Sequence, residues 1–481
     1  MPPLGLASLA SSLKAAGFHC NVLDFNVRAY REAPEELKSL WEDPASLECW
    51  SLEEFPRLLQ DKMAHWVERC ANHILESPHP VVGFSVHQSS LAFTLEVLKI
   101  LRQEDPKRTV LMGGPEVYWL DQEMRWPVSL INRKTGKELI PREWVNAFLI
   151  GEAEESLVEV LRNIAQRKSL AGIEGVLVPE DSSGSVVRPR IIENLDALPL
   201  PTFEQFEVGD YEEPFTRPKL PVMMSRGCVG RCTFCNDFVM AKSYRSRSAS
   251  KIVLEILSNM ERHRVYRFQF NDLLVNGDLP LLKKVCEQLT AAGLRDRGFR
   301  WTGQALARTM TPDLLKLLCE SGCTALIYGA ETFSDKVLRL MDKFSTVQVM
   351  ERVFRWTQEA GIHVYVNLMV GFPGETEEDF GQTLDFLSRN RSCIQSVAAF
   401  STMTLTYGSP VERNPQKYGV KVEGEHWHRQ WRMADGQNTP EIRQERQERL
   451  AGLLRELELG VVCNYAYEEA HEKQRKRLTT A

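Results

Sequence analysis

The chain has 481 residues, of which 43% are hydrophobic and 26% are charged, and its formal net charge is −6. This length exceeds one ordinary hydrophobic core and predicts two or three domains. The acidic balance, with no long Lys/Arg run apart from the terminal EKQRKRL, gives no support to a nucleic-acid partner. No apolar run is long enough to span a membrane and no signal-peptide pattern opens the chain, so a cytoplasmic protein is expected.

The first part of the chain alternates strand-like apolar runs with amphipathic helical stretches. This alternation predicts a parallel sheet covered by helices, in a doubly wound, Rossmann-like α/β domain. The strand-like runs are CNVLDF (20–25), VVGFSV (81–86), TVLMGG (109–114) and AFLIG (147–151). The last three end at or just before glycine or polar residues, and doubly wound sheets bind ligands at these carboxyl ends.

A second alternating series follows a proline-rich interval at 193–218, which is typical of an interdomain linker. Its predicted strands are 220–225, 266–272, 299–304, 324–331, 363–371 and 396–404. Six βα units are too few for an eight-fold barrel, so they predict a partial (β/α)6 TIM-type barrel with its working face at the carboxyl ends of the strands. In TPDLLKLLCESG, Thr311 is suited to cap a helix that starts at Pro312.

These patterns predict four segments. They are a Rossmann-like domain at 1–192, the linker at 193–218, the partial barrel at 219–410 and a helical C-terminal region at 411–481. The last segment contains TPEIRQERQERLAGLLRELELG, a long charged amphipathic helix, and is expected to cap the substrate side.

Three of the eleven cysteines lie within eight residues, in GCVGRCTFC, as Cys228, Cys232 and Cys235. In a cytoplasmic chain, cysteines indicate reduced thiols, metal ligands or a redox site rather than disulfides. Three thiolates at C-x3-C-x2-C spacing can each hold one iron of a cubane cluster and leave the fourth iron open. Gly227 and Gly230 allow the loop to curl around it. A closed structural zinc site would need a fourth ligand, which is not nearby, although a labile zinc or three buried thiols remain alternatives.

The other cysteines are scattered and are read as small buried hydrophobes: Cys20, Cys49, Cys70, Cys286, Cys319, Cys323, Cys393 and Cys463.

The loop GCVGRCTFC resembles the signature of the radical S-adenosylmethionine (SAM) superfamily. The resemblance implies that SAM chelates the open iron and is cleaved reductively to a 5′-deoxyadenosyl radical. It also implies an external one-electron donor of the flavodoxin or ferredoxin type. By the same resemblance, Asp272 in FQFNDLL would help to hold the SAM amino group. Glu331 in YGAET would contact the ribose, Gly329 would give close backbone approach, and Gly371 in VGFPGET and Phe234 would lie near the adenine. Ordinary strand-end turns are the alternative reading of these residues.

The segment at 1–192 resembles the cobalamin-binding domain that precedes the barrel in one large radical SAM group. The motifs are PPLGLASLASSLKAAGFHCNVLDFN, VGFSVHQSS, VLMGGPEV and LIGEAEESLVEVL. Small and polar strand-end residues would let the corrin pack close to the backbone, and the candidates are Ser85, Gly113, Gly114, Gly151 and Glu152. A doubly wound domain that only supports the barrel is the alternative. The D-x-H-x-x-G element that ligates cobalt in some cobalamin proteins is absent, and His87 is the one tempting substitute. The resemblance therefore implies cobalamin held without a protein histidine.

Members of that group begin with an apolar strand that runs into the PPLGLA loop, whereas this sequence starts at the loop. In the flavodoxin-like order 2-1-3-4-5, that strand would lie between the runs at 20–25 and 81–86. We therefore expect Met1 to be downstream of the natural start.

The leading hypothesis is a cobalamin-dependent radical SAM methyltransferase that acts on an unactivated carbon of a small molecule. A non-methylating cyclase or rearrangement enzyme with the same cofactors is the runner-up. A methylthiotransferase would bring its own cysteine-containing first domain, and a non-catalytic cluster protein would predict four cluster cysteines. His426, His428 and Arg432 in the C-terminal region are acid/base or anion-contact candidates, with ordinary surface positions as the favoured reading. Nothing in the sequence identifies the substrate.

Overall fold

The computed structural model describes residues 1–42, 49–120, 126–131, 136–179, 187–211, 218–423 and 430–461. The chain divides into two compact units: Pro3–Asp210, and Tyr211–Ala481 with Met1–Pro2. This division falls within the predicted linker at 193–218. None of the described helices is long and apolar enough to cross a membrane.

The first unit contains a four-stranded sheet with seven helices in the described residues. The strands are β1 (Val81–Ser85), β2 (Thr109–Gly113), β3 (Ala147–Leu149) and β4 (Val176–Leu177), in that spatial order. The first three strands run parallel and β4 is antiparallel to β3. The helices are α1 (Leu4–Ala15), α2 (Phe25–Glu32), α3 (Glu35–Glu42), α4 (Phe55–Leu58), α5 (Ala64–Leu75), α6 (Gln88–Glu104) and α7 (Glu154–Ala165).

Helix α6 shows how the apolar pattern builds this unit. Leu91, Leu95 and Leu98 recur at helical spacing, are at most 6% exposed and join Met112 of β2 and Phe148 of β3 in one core. A helix with one apolar stripe buries that stripe against a sheet. The three predicted strands at 81–86, 109–114 and 147–151 are therefore confirmed.

The predicted strand at 20–25 is wrong. Residues 20–24 form neither helix nor strand, and Phe25 starts α2, whose N-cap is Asp24. The Asp24 carboxylate accepts a hydrogen bond from the N–H of Val27 at 3.3 Å. Strand β1 is the edge of the sheet among the described residues. Residues 20–24 pair with none of the four strands of this sheet.

The second unit contains a seven-stranded parallel sheet and two short antiparallel ladders. Its large sheet consists of β5 (Lys219–Val222), β8 (Arg267–Phe270), β9 (Arg300–Ala305), β10 (Cys323–Glu331), β11 (His363–Val370), β12 (Ser396–Thr402) and β15 (Gly460–Val461). Their spatial order is β15-β12-β11-β10-β9-β8-β5, so consecutive strands are neighbours. The short ladders pair β6 (Ser225–Arg226) with β7 (Arg245–Ser246), and β13 (Val420–Glu423) with β14 (Gln430–Met433).

All six predicted barrel strands are confirmed, and β15 adds a short seventh. The helices that cover the sheet and follow it are α8 (Asp237–Ala241), α9 (Ala249–His263), α10 (Leu279–Ala291), α11 (Pro312–Glu320), α12 (Asp335–Leu340), α13 (Val347–Glu359), α14 (Glu377–Arg389), α15 (Pro410–Arg413) and α16 (Pro440–Glu456). Thr311 caps α11 as predicted, since its hydroxyl accepts the N–H of Leu314 at 3.3 Å. Because the strands are parallel, their carboxyl ends share one edge of the sheet, where ligands bind in this architecture.

The C-terminal region is less helical than predicted. The long helix is confirmed as α16, but the described residues before it form the β13–β14 hairpin, and β15 after it joins the large sheet. Arg432 lies on β14, half-exposed and paired with Glu423 at 2.7 Å, as an ordinary surface residue does. His426, His428 and Cys463 lie outside the described residues.

Candidate active site

The cysteine loop follows the first strand of the large sheet. It leaves β6 at Gly227 and ends at α8. Gly227 has φ +89°, and a Cβ at this position would clash with the carbonyl of Ser243. The loop can therefore pack against the turn at 241–243 only because residue 227 is glycine.

The sulfurs of Cys228 and Cys232 both approach Gly230. A Cβ on Gly230 would lie 3.3 Å from Sγ of Cys228 and 3.9 Å from Sγ of Cys232. The Gly230 N–H donates to the Cys228 sulfur at 3.3 Å, and the Asp237 N–H donates to the Cys235 sulfur at 3.4 Å. All three thiols are half-buried and free. Because each cysteine of a cubane cluster binds a different iron, the three sulfurs need not converge on one metal ion, and no group of three His, Cys, Asp or Glu side chains does so in the described part of the chain.

The surroundings of the three thiols favour the neutral form over the thiolate. Burial raises the pKa of Cys228, Cys232 and Cys235, and the ammonium of Lys343 opposes this at the first two. Thiolates are the form that binds iron. A bound cluster would supply positive charge that stabilises the thiolates, and donors such as the Gly230 N–H would tune it.

Lys343 is the residue that organises the predicted SAM contacts, although no motif in the sequence marks it. Its Nζ donates to the carbonyl of Gly329 at 2.9 Å and to Oε1 of Glu331 at 3.0 Å. It also lies 5.6 Å from the centroid of the Phe234 ring. The Lys343 and Glu331 side chains are only 8% and 14% exposed. Burial lowers the pKa of Lys343, but the Glu331 carboxylate, together with Cys232 and Cys235, outweighs burial, so the net pKa is raised and the lysine is charged.

Gly329 and Glu331 end β10 in an irregular backbone. The ladder to β11 shifts register between them, and Glu331 has φ +65°, the left-handed region that glycine normally occupies. A Cβ on Gly329 would lie 3.2 Å from the Lys343 ammonium. The missing side chain thus makes room for the lysine, while the strained Glu331 backbone aims its carboxylate at the same ammonium. Strain of this kind is concentrated at functional sites.

Gly371 begins the loop after β11, and the C-terminal region holds that loop. Its N–H donates to Oε2 of Glu375 at 2.6 Å, and its carbonyl accepts from Nδ2 of Asn438 at 3.0 Å. Phe372, the next residue, makes an edge contact with Phe234 at 6.5 Å between centroids. Four of the five predicted SAM residues, Phe234, Gly329, Glu331 and Gly371, are therefore neighbours through Lys343 and Phe372.

Asp272 differs from the other predicted SAM contacts. Its carboxylate is 1% exposed and accepts three hydrogen bonds, from Met224 N at 2.9 Å, Ser225 N at 2.7 Å and Ser225 Oγ at 2.5 Å. Burial raises its pKa to about 6, although these donors lower it. The structure therefore gives Asp272 the role of fastening the chain just before the cysteine loop, and its contact with SAM stays a prediction.

The predicted cobalamin residues share the carboxyl edge of the first unit's sheet. Ser85 is exposed at the end of β1, and a Cβ on Gly113 at the end of β2 would make only ordinary contacts, the nearest at 3.6 Å. His87 lies two residues after the end of β1 and is exposed. Ser85 is therefore accessible at this edge, and Gly113 is half-buried with space for a Cβ.

Gly114, Gly151 and Glu152 each contact neighbouring backbone of the same unit and do not border open space. A Cβ on Gly114 would clash with Val86, and one on Gly151 would clash with Arg190. The Glu152 carboxylate accepts the N–H of Ile192 at 2.8 Å. The close approach expected of a corrin is made at these glycines by the protein's own chain.

Comparison with known proteins supports the fold and the loop together. Residues 222–387 match the Radical SAM superfamily, which implies a [4Fe-4S] cluster and SAM. An uncharacterized methyltransferase of Pyrococcus horikoshii is 24% identical over 64% of this chain and 64% of its own length. An anaerobic magnesium-protoporphyrin IX monomethyl ester cyclase of Cereibacter sphaeroides is 24% identical over 68% of this chain and 51% of its own length. The chain thus spans about half to two thirds of these relatives.

The radical SAM methyltransferase TsrM of Kitasatospora setae has the same fold. Its structure with tryptophan and a SAM analog superposes with a TM-score of 0.62 and 18% identity, over 88% of this chain and 77% of TsrM. A second TsrM structure contains cobalamin and a [4Fe-4S] cluster. The predicted α/β fold is confirmed. Residues 222–387 therefore belong to the radical SAM superfamily, and the chain that carries them shares the fold of a radical SAM methyltransferase.

Proposed function

We propose that the chain is a cobalamin-dependent radical SAM methyltransferase that methylates an unactivated carbon of a small molecule. The observation that carries the proposal is the three-cysteine loop beside the buried Lys343–Glu331 pair. The loop follows the first strand of the sheet, and the pair closes the end of the fourth. A cluster site and a charged ligand site are thus adjacent, as SAM needs if its polar groups are to reach an iron.

When bound, the cluster and SAM supply a 5′-deoxyadenosyl radical and cobalamin supplies a methyl group. The chain's own residues would position these groups. Cys228, Cys232 and Cys235 would hold three irons. Lys343 and Glu331 offer a cation and a carboxylate to the SAM carboxylate and hydroxyls, and their low exposure strengthens such contacts. The Phe234 ring would cover one side of the ligand.

The first unit would bind cobalamin at the carboxyl edge of its sheet. Ser85 is exposed there and Gly113 has space for a Cβ, which supports placing the corrin at this edge. Gly114, Gly151 and Glu152 would shape this edge by holding the loops around Val86 and Arg190. The D-x-H-x-x-G element is absent from the sequence. We therefore propose that cobalamin is bound without a histidine ligand.

A non-methylating cyclase is the second candidate, since a cyclase is among the relatives that match two thirds of the chain. Both candidates use the same loop and the same Lys343–Glu331 pair. They differ in the fate of the SAM methyl group.

The test follows that methyl group. The anaerobic enzyme, loaded with cobalamin and reductant, is incubated with SAM carrying a trideuterated methyl and with a small-molecule extract of the source cell. A product with three deuterons on carbon, absent with the Cys232→Ala variant, supports methyl transfer. If 5′-deoxyadenosine forms and a substrate disappears without deuterium transfer, the enzyme is of the cyclase type and the first proposal is wrong.

A further inference from the structure

Strands β8 and β9 of the large sheet present one face to the covering helices and the other to the inside of the partial barrel. Phe270 of β8 and Trp301 of β9 pack edge to face with 4.9 Å between ring centroids, and Nε1 of Trp301 donates to Oγ of Ser321, just after α11, at 3.1 Å. These rings therefore point toward the helices. Because side chains alternate along a strand, Gln269 and Thr302 point to the inner face.

Gln269 and Thr302 are neighbours on this inner face. They are partners in the parallel ladder between β8 and β9, so their Cα atoms are about 5 Å apart. The next strand continues the face with Ala325, the partner of Thr302, and with Ile327. These two residues and Tyr365 are at most 1% exposed and form one buried cluster. The pair thus borders an apolar interior.

Both side chains of the pair are buried and carry an unpaired polar atom. Gln269 and Thr302 are each 5% exposed, and neither Oε1 of Gln269 nor Oγ1 of Thr302 has a hydrogen-bond partner among the described residues. Thr357 shows the usual state of a buried threonine, since its hydroxyl donates to the carbonyl of Val353 at 2.8 Å. A buried polar group without a partner lowers the stability of a fold, so two adjacent ones require a reason beyond folding.

The row of the sheet that contains the pair carries no charge. Its four residues on adjacent strands are Pro221, Gln269, Thr302 and Ala325. Arg267 and Arg300 lie one row nearer the amino ends of the strands. Nη1 of Arg300 donates to the carbonyls of Arg295 and Phe299 at 2.9 and 2.8 Å, which holds it against the turn before β9. A neutral group fits this row, because burying an anion without a cation in the row costs more than burying an amide.

The row lies beneath the predicted SAM contacts. Gln269 is three residues before Asp272, and Ala325 is four residues before Gly329. At about 3.3 Å per residue, the row is about 10–13 Å below the carboxyl edge of the sheet. A substrate whose reacting carbon lies near SAM would therefore reach the row with a part of the molecule that does not react.

We propose that Gln269 and Thr302 determine substrate specificity by binding an amide group of the substrate. The inference rests on the proposed function, because it places the substrate on the face of the barrel that carries Gly329. An amide fits because it has a donor beside an acceptor: its N–H would donate to Oε1 of Gln269, and its carbonyl would accept from the hydroxyl of Thr302. A molecule without such a group would leave both buried atoms unpaired and would be rejected.

The first test is the stability of the substrate-free, cofactor-loaded full chain. Gln269→Met and Thr302→Val nearly keep the shape of each side chain and remove its unpaired polar atom. The double variant should therefore melt about 2 °C or more above wild type. Thr357→Val is the matched control, because it makes the same change at a paired hydroxyl, and it should melt below wild type. A double variant that melts at or below the wild-type temperature would show that the two groups already have partners and would overturn the proposal.

The second test measures binding, with isobutyramide as the probe and isobutyrate as its charged counterpart. In a ligand-observed NMR titration, wild type should bind isobutyramide at least about 10-fold more tightly than isobutyrate, and the double variant should lose at least about 10-fold of the affinity for isobutyramide. Thr302→Ser keeps the hydroxyl and should keep the affinity. Tighter binding of isobutyrate, no binding of isobutyramide, or equal binding by wild type and double variant would overturn the proposal. Neither test requires turnover, so a chain that passes both and transfers no methyl group would refute the proposed function alone.

Discussion

Replacing Arg446 by Met should loosen the loop that follows the fifth strand of the large sheet. Nη1 of Arg446 lies 3.0 Å from Oε2 of Glu375, and the two side chains are 3% and 1% exposed. The same carboxylate oxygen accepts the N–H of Gly371 at 2.6 Å. Arg446 is therefore the counter-ion of the carboxylate that shapes the loop at 371–375, which is predicted to contact SAM.

The size of the effect depends on pH. Removing one partner of a buried ion pair costs about 3–5 kcal/mol. Burial raises the pKa of Glu375 from 4.5 to about 7, although Gly371 N–H and Arg446 lower it. Removing Arg446 raises this pKa further, so at about pH 8 the variant must either keep a charged carboxylate without its counter-ion or bind a proton there, and we expect a loss of about 3 kcal/mol. At about pH 6 the carboxyl is protonated, and the loss shrinks to that of its hydrogen bonds, about 1 kcal/mol. In wild type, the raised pKa means that this group's contribution to stability falls as pH rises from about 4.5 through 7.

Hydrogen exchange at the amide of Gly371 measures this loss locally. A loss of about 3 kcal/mol corresponds to about 100-fold faster exchange at pH 8 after correction for the intrinsic rate. Arg449→Met is the matched control on the same helix, because Arg449 is 43% exposed and pairs with Glu377 at 2.5 Å. An exposed pair contributes at most about 1 kcal/mol, so exchange should change less than about 5-fold. Glu375→Gln in the Arg446→Met background should recover most of the loss. Equal effects of the two arginine variants, or an effect independent of pH, would show that Arg446 is not the counter-ion of Glu375.

Three further predictions concern the ligand sites. Lys343→Met should weaken SAM binding at least about 10-fold, measured by equilibrium dialysis, while the iron content stays normal. Lys336→Met is the control and should bind SAM as wild type does, because the Lys336 side chain is 48% exposed. Unchanged SAM affinity in Lys343→Met would remove Lys343 from the ligand site. Gly113→Leu should lower the bound corrinoid without changing the iron content, because the fold has space for a Cβ there and the larger side chain would occupy the predicted corrin site. Gly381→Leu is the control, since a Cβ at Gly381 would meet nothing within 4 Å. An unchanged corrinoid content in Gly113→Leu would place the cobalamin site elsewhere. Asp272→Asn should lower iron loading, because it leaves a buried donor of Met224 or Ser225 unpaired; normal iron with lost SAM affinity would instead make Asp272 a SAM ligand.

Local patterns in the sequence were sufficient for most of the architecture. The strands from β5 to β12 of the large sheet are apolar runs bounded by turns, so periodicity located them. The run at 20–25 has a similar apolar composition but pairs with no strand, and a local pattern does not show which segments will pair. Two-residue β15 and the β13–β14 hairpin are too short or too polar for periodicity to detect.

The parts of the site that could be predicted are those formed by residues close together in the sequence. The cysteine spacing fixed the loop, but Lys343 reaches Glu331 across a helix and a turn, and Arg446 reaches Glu375 from 71 positions away. The strand-end glycines show the opposite limit. A glycine indicates a close approach, but only the fold shows whether a ligand or, as at Gly114 and Gly151, another segment of backbone makes it.

Whether this loop holds a cluster is decided by the iron, sulfide and corrinoid content of the chain, purified anaerobically with cobalamin supplied. We expect about four irons and one corrinoid per chain for wild type. Cys232→Ala should lose the iron and keep the corrinoid, and Cys286→Ala, at a buried cysteine of α10, should keep both. Iron that survives in Cys232→Ala, or a wild-type chain that binds no iron, would contradict the claim that this loop holds the cluster.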